Sequence, residues 1–263
     1  MIDLPHYPRT FHLEGSKGIS ETEQVSLFHL EGKSFVIEEK VDDSCVSMHF
    51  DSEANLRICH RDQEARGPEF DRLKAWTAKL EERLFDVLQD RYILYGGWLY
   101  AVHTIYYNRL PHYFLEYDIY DRQRQVFLST DKRQEVLQPL RDEIVSVQVL
   151  PNVRTLMERP RDYVYPPIEP WCVVGESCYV TSSDHTLHRE FMQKYGRSDP
   201  RSYTGTRGVM EGLYIKVEHD GIVSERYKYI QHNFLAAILK NGSHWKDQPL
   251  IANVSLQTTG TLC

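Results

Sequence analysis

A chain of 263 residues, 41% hydrophobic and 26% charged, is long enough to bury one large core, or one domain with a short appendage. Its net charge of −7 excludes a protein that coats nucleic acid nonspecifically, since that needs many phosphate-facing cations; a local basic cleft on an acidic surface stays compatible with it. There is no run of eighteen apolar residues and no apolar core of a signal peptide near the start, so a soluble, cytoplasmic protein with no membrane association is expected.

Alternating apolar and polar residues between turn formers predict strands over 34–41, 45–50 and 55–60. A helix follows over 69–89, with Phe70, Leu73, Trp76, Leu80, Leu84 and Leu88 on one broad face and Pro68 where a helix start places it. Strands are predicted again over 92–101 and 113–120, then a helix over 130–140 capped by Thr130 or Asp131. Four prolines in 159–170 mark an extended loop, and a further helix is expected over 185–195. Strands over 213–218 and 224–230 precede a short helix over 233–240, closed by Asn241 and Gly242 and followed by a tail expected to fray. Strands and helices without strict alternation point to an α+β fold of antiparallel sheets flanked by helices.

Five cysteines without a CxxC pair suggest neither a disulfide framework nor a zinc ribbon. His185 and His188 lack a third ligand and fit a polar surface turn.

The sharpest segment is FVIEEKVDDSC, residues 35–45, where a strand delivers Lys40 to a turn holding Asp42, Asp43 and Ser44. A lysine must lose its proton to attack phosphorus, and its ordinary pKa of about 10.4 makes that costly unless cations, metal or desolvation lower it. Taken alone, the segment favours an exposed lysine in an acidic hairpin. Further along stand HRD at 60–62, YGGWLYA at 95–101, FLEYDIYD at 114–121, EGLYIK at 211–216 and RYK at 226–228.

In this order, spread from Lys40 to Lys228, the motifs resemble those of the ATP-dependent RNA ligases, within the covalent lysyl-nucleotidyltransferase superfamily. The resemblance implies an ATP-grasp-like nucleotidyltransferase domain over 1–231, then a short helix and tail over 232–263. With 35 residues after the last motif there is no room for an oligonucleotide-binding barrel of about seventy to a hundred residues. That argues against DNA ligases and capping guanylyltransferases, which carry one.

The implied chemistry is self-adenylation of Lys40 by ATP with Mg²⁺ (or Mn²⁺), transfer of AMP to an RNA 5′-phosphate, and sealing by a 3′-hydroxyl. Lys216 and Lys228 would join Lys40 as catalytic residues. Glu39, Asp42, Arg61, Tyr117, Glu211 and Arg226 would contact the nucleotide, with Glu211 also supporting the metal. The residues by themselves leave alternatives: Arg61 equally suits a surface pair with Asp62, Tyr117 suits an ordinary strand core, and Arg226 and Lys228 suit an exposed strand edge.

The chain departs from the family at two positions. KxDG becomes KVDD, so Asp43 replaces a glycine. A glutamate that follows glycine in the family, and there contacts the nucleotide sugar, is replaced by Gly97; Glu116 is a candidate substitute. These two positions motivate the rival reading, a catalytically impaired homologue that binds nucleotide or RNA ends.

Overall fold

The computed structural model describes residues 7–18, 20, 23–150, 177–180, 210–232, 234–236, 246 and 250–257. The loop expected over 159–170, the helix over 185–195 and most of the helix over 233–240 lie outside them; residues 234–236 are helical.

Two sheets organise the chain. The first has the order β2 (Gln24–Val25), β1 (Phe11–Leu13), β12 (Ile222–Ile230), β11 (Gly212–His219), β3 (Phe35–Lys40). The second runs β10 (Val145–Ser146), β8 (Phe114–Asp121), β7 (Tyr92–Trp98), β4 (Ser44–Phe50), β5 (Leu56–His60), β6 (Gln63–Glu64), with β9 (Val126–Phe127) beside β8. The long pairings are antiparallel, as expected; β1 joins β12 and β2, and β10 joins β8, in parallel. No closed barrel forms among the described residues.

Each sheet buries apolar side chains on its outer face. Helix α1 (Asp71–Leu88) lays Leu73, Leu84 and Leu88 against Val46, Met48, Phe50 and Leu94 of the second sheet, with Trp76 and Leu80 at the margin. Each fully buried leucine contributes about 1.5–3 kcal/mol, and Pro68 opens the turn before the helix as the sequence suggests. On the first sheet Phe35, Ile37, Leu213, Ile215 and Tyr227 are covered by Leu13, Leu27 and Leu30.

The facing sides hold charge instead. Glu38 on β3, Glu116 and Asp118 on β8, Arg133 on α2 (Thr130–Leu137), Lys216 on β11 and Arg226 on β12 are all buried, three anions against three cations. Arg133 donates to Glu116 at 2.7 Å and Glu38 at 2.5 Å, one carboxylate from each sheet. Lys216 lies 2.7 Å from Glu38 and 3.2 Å from Asp118, again spanning the sheets. Burial alone would raise the Asp118 pKa, but the charges of Lys216 and Arg226 outweigh it and hold the group at about 2.

Three expectations need correction. The first turn of α2 is capped by Ser129, whose hydroxyl accepts from the Lys132 amide, and the Thr130 amide donates to Glu218 of β11 at 2.9 Å. Glu116 cannot replace the missing carboxylate at 97, because Arg133 and Ser146 hold both its oxygens in the ionic layer. The tail does not fray over 250–257: Asn253 is buried, accepts from the Tyr107 amide and donates to the Leu99 carbonyl, and backbone bonds join 251–256 to 100–110.

Removing one partner from a buried ion cluster leaves its opposites without compensation, at about 3–5 kcal/mol. Arg133→Met should therefore lower the urea-unfolding free energy by that amount, while Lys132→Ala, which breaks only the exposed pair with Glu135, should change it by less than about 0.5 kcal/mol.

Candidate active site

Lys40 is the last residue of β3, opposite Gly212 of β11, which in turn faces Ile230 of β12. A side chain at 212 would meet the Tyr229 carbonyl oxygen at 1.8 Å, so glycine is required for this close strand approach. The approach brings Glu211 against Lys40: the amine nitrogen lies 2.5 Å from Glu211 Oε1. Two residues 171 positions apart in the chain thus form one ion pair.

Opposed residues on neighbouring antiparallel strands project to the same side. Lys40, Glu38, Tyr214, Lys216, Arg226 and Lys228 therefore share the inner face of the first sheet, and His12 of β1, paired with Lys228, joins them. Along this face the site divides. Lys228 is half-buried near Lys40; burial, then the Lys40 charge, lowers its pKa. Burial and the charges of Lys228, Lys40 and Arg9 lower His12 to about 4, so it is neutral at pH 7. Lys216 and Arg226 sit farther along, opposite each other, in the ionic layer. Lys216 also donates to the Tyr117 carbonyl, and Arg226 lies 3.9 Å over the Phe127 ring.

Burial would lower the Lys40 pKa, but Glu211, Asp43 and Asp42 reverse that and raise it above its ordinary value. Burial pushes Glu211 up to about 7, against the pull of Lys40. The amine is thus held as a cation and tied to a carboxylate. Making it a nucleophile requires new positive charge beside Glu211, or a ligand that separates the pair.

Glu39 and Asp42, which flank Lys40 among the expected nucleotide contacts, are both engaged elsewhere in the protein. Glu39 is buried and accepts from the Ser177 hydroxyl at 2.5 Å and the Cys178 amide at 2.8 Å. Asp42 Oδ2 accepts from the amides of Thr104 and Ile105 at 2.6 and 2.9 Å, while the Asp42 amide donates to the Tyr107 hydroxyl at 2.8 Å. Both act as anchors that fix the backbone around Lys40.

Tyr117 leaves the strand alternation. Tyr95 and Gly96 of β7 face Asp118 and Glu116, so Tyr117 is the extra residue of a β-bulge. Its ring turns toward β4, where its hydroxyl donates to Cys45 Sγ at 2.9 Å, and its edge meets Tyr7, with centroids 5.9 Å apart. Arg61 is exposed at the hairpin after β5, with φ +56°, and its amide donates to the Cys45 carbonyl at 3.2 Å. It stands at the rim beside β4.

Sequence reasoning missed Glu38, Arg133 and Tyr7. The Tyr7 hydroxyl donates to Asp118 and lies 2.9 Å from that of Tyr214, bringing the N-terminal segment between the sheets. Two adjacent glutamates inside an apolar strand were the only available signal for Glu38.

A single carboxylate facing a phosphate site suits Mg²⁺ or Mn²⁺, which share their ligand shell with water and substrate oxygens. Glu211, beside Lys40, is the carboxylate that could hold such an ion; no group of three metal-ligating side chains occurs among the described residues. No helix among the described residues is long and apolar enough to cross a membrane.

The sequence profile of the RNA ligase family matches residues 33–230. Among solved structures the chain is similar to the Naegleria gruberi RNA ligase. A variant of that enzyme with ATP and manganese gives a TM-score of 0.52 at 16% identity, covering 89% of this chain and 59% of the other. The same ligase with pyrophosphate gives 0.51 at 17% identity, covering 93% and 60%. The present chain therefore spans about six tenths of the length of those structures. At such identities the likeness shows the fold. A search of curated protein sequences found no match.

If Asp42 is an anchor, Asp42→Ala should cost about 1–3 kcal/mol by stranding the Thr104 and Ile105 amides. Urea unfolding without nucleotide measures this; an unchanged midpoint would instead mark Asp42 as a ligand contact alone.

Proposed function

This chain belongs to the RNA ligase family, and from that premise we propose that it is an ATP-dependent RNA ligase whose nucleophile is Lys40. The observation that carries the proposal is the Lys40–Glu211 contact at the end of a sheet face that also carries Lys228. In this reading residues 1–231 carry the catalytic residues, and 232–263 follow as a short segment whose residues 251–256 bond to 100–110. ATP and RNA as substrates make the cytoplasm its place of work.

In the first step the Lys40 amine, having released a proton, attacks the α-phosphorus of ATP. A phosphorus–nitrogen bond forms and the bond to the pyrophosphate oxygen breaks. An RNA 5′-phosphate oxygen then attacks the same phosphorus, freeing Lys40 and leaving AMP on the RNA end. In the third step a 3′-hydroxyl attacks the 5′-phosphate, releases AMP and seals the strand. Each step is phosphoryl transfer, which depends mainly on alignment and on cations facing the developing charge.

Lys228 faces the α-phosphate oxygens. Burial, then the closeness of Lys40, lowers its pKa, and a cation there would face the charge that develops on those oxygens. Lys216 and Arg226 act from the ionic layer: Lys216 holds the Tyr117 backbone and Asp118, and Arg226 adds positive potential along the same face. Tyr117, turned inward by its bulge, supplies an aromatic edge for the base. Arg61, at the rim, suits the phosphate of an RNA end. Glu211 would hold a divalent ion, which when bound supplies charge neutralisation on the phosphate oxygens. Drawing Glu211 away from the amine also lets Lys40 shed its proton.

Incubation with ATP labelled at the α-phosphate tests the proposal. The protein should acquire acid-stable label, Lys40→Ala should acquire none, and Lys228→Ala should label at least about 100-fold more slowly. The rival reading has a definite signature: wild-type protein that binds RNA ends yet never labels is a binding module.

A further inference from the structure

Two departures from the family pattern, Asp43 and Gly97, meet at one place. Cys45 of β4 pairs with Gly97 of β7, and Asp43, two residues before Cys45, projects to the same side. A Cβ built on Gly97 would lie 2.3 Å from Asp43 Oδ2, 2.8 Å from its Cβ and 2.9 Å from its carboxyl carbon. The whole Asp43 side chain, not only its tip, fills the volume that a residue at 97 would use. Asp43 is not among the residues with positive φ, so the backbone there accepts a side chain without strain.

Asp43 Oδ2 is buried and has no hydrogen-bond partner among the described residues. A buried carboxylate oxygen left this way is costly unless a ligand supplies a donor. Nucleotide phosphates offer none near neutrality and are repelled by its charge, which leaves the sugar hydroxyls and the base amine. Position decides between them. Asp43 lies between Lys40, where the α-phosphate must come, and Cys45, which carries the Tyr117 hydroxyl on the side assigned to the base. In a nucleotide the sugar is the link between those two ends.

We propose that Asp43 and Gly97 are one compensated exchange, in which Asp43 accepts hydrogen bonds from the ribose hydroxyls of the bound nucleotide, a role that no side chain at 97 can share while Asp43 is present. The inference rests on the nucleotide reading above for its ligand, while its steric half stands on the protein alone.

The two halves are tested separately. In thermal unfolding without nucleotide, Gly97→Glu should lower the midpoint and Asp43→Gly with Gly97→Glu should recover most of the loss. A Gly97→Glu protein as stable as wild type overturns the exchange. For the ligand, calorimetric titration with ATP and with 2′,3′-dideoxy-ATP compares wild type with the near-isosteric Asp43→Asn. Wild type should prefer ATP at least about tenfold, Asp43→Asn should lose most of that preference, and Asp43→Gly with Gly97→Glu should regain it. A preference unchanged in Asp43→Asn overturns the ribose assignment even where Lys40 still takes label from ATP. Wild-type protein that binds neither nucleotide overturns the assignment together with the ligase reading, yet leaves the unfolding comparison to stand or fall by itself.

Discussion

Six charges enclosed between two sheets set the geometry of this protein. Glu38, Glu116 and Asp118 meet Arg133, Lys216 and Arg226 where most folds of this size would place leucine and valine. An apolar layer of the same volume often gives equal or greater stability, because each ion loses its hydration on burial. The ionic layer supplies direction instead. A leucine tolerates a neighbour shifted by an ångström, whereas Arg133 bonds carboxylates of both sheets only in one relative placement. Because β3 and β11 carry Lys40 and Glu211 at their ends, fixing the sheets also fixes the two residues on which the proposed chemistry depends.

That arrangement places the proposed nucleophile, Lys40, against carboxylates. With acidic neighbours on three sides, Lys40 holds its proton more firmly than a free lysine does. In the proposed mechanism its reactivity then depends on the ligand: positive charge near Glu211 would weaken the partner that holds the proton on Lys40.

Much of this was legible in the sequence. The leucines of 69–89 fell on one face because helical periodicity is a local property, and β3, β4, β7, β8, β11 and β12 emerged because long strands alternate over enough residues to be seen. Strands of two or three residues, such as β1, β2, β6, β9 and β10, carry no readable period and exist because a longer neighbour offers them backbone partners. Nothing local marks Arg133 on its short polar helix; its burial follows from a carboxylate 95 residues away. The role of Glu116 was misjudged for the same reason. At the site, Lys40, Glu211 and Lys228 were found as motifs. The bulge that redirects Tyr117, and the engagement of Glu39 and Asp42 by loops, depend on packing that no spacing encodes.

The grip of Asp42 on the 104–107 loop extends further than its own hydrogen bonds. Tyr107, which receives the Asp42 amide through its hydroxyl, gives its own amide to Asn253, and Asn253 in turn holds Leu99 and Tyr113. Lys40 is thereby tethered, two residues along the chain, to a clasp closed by a segment more than 200 residues later. Any force or partner that peeled residues 250–257 from the body would slacken the 99–107 stretch and, through Tyr107, the turn that follows Lys40.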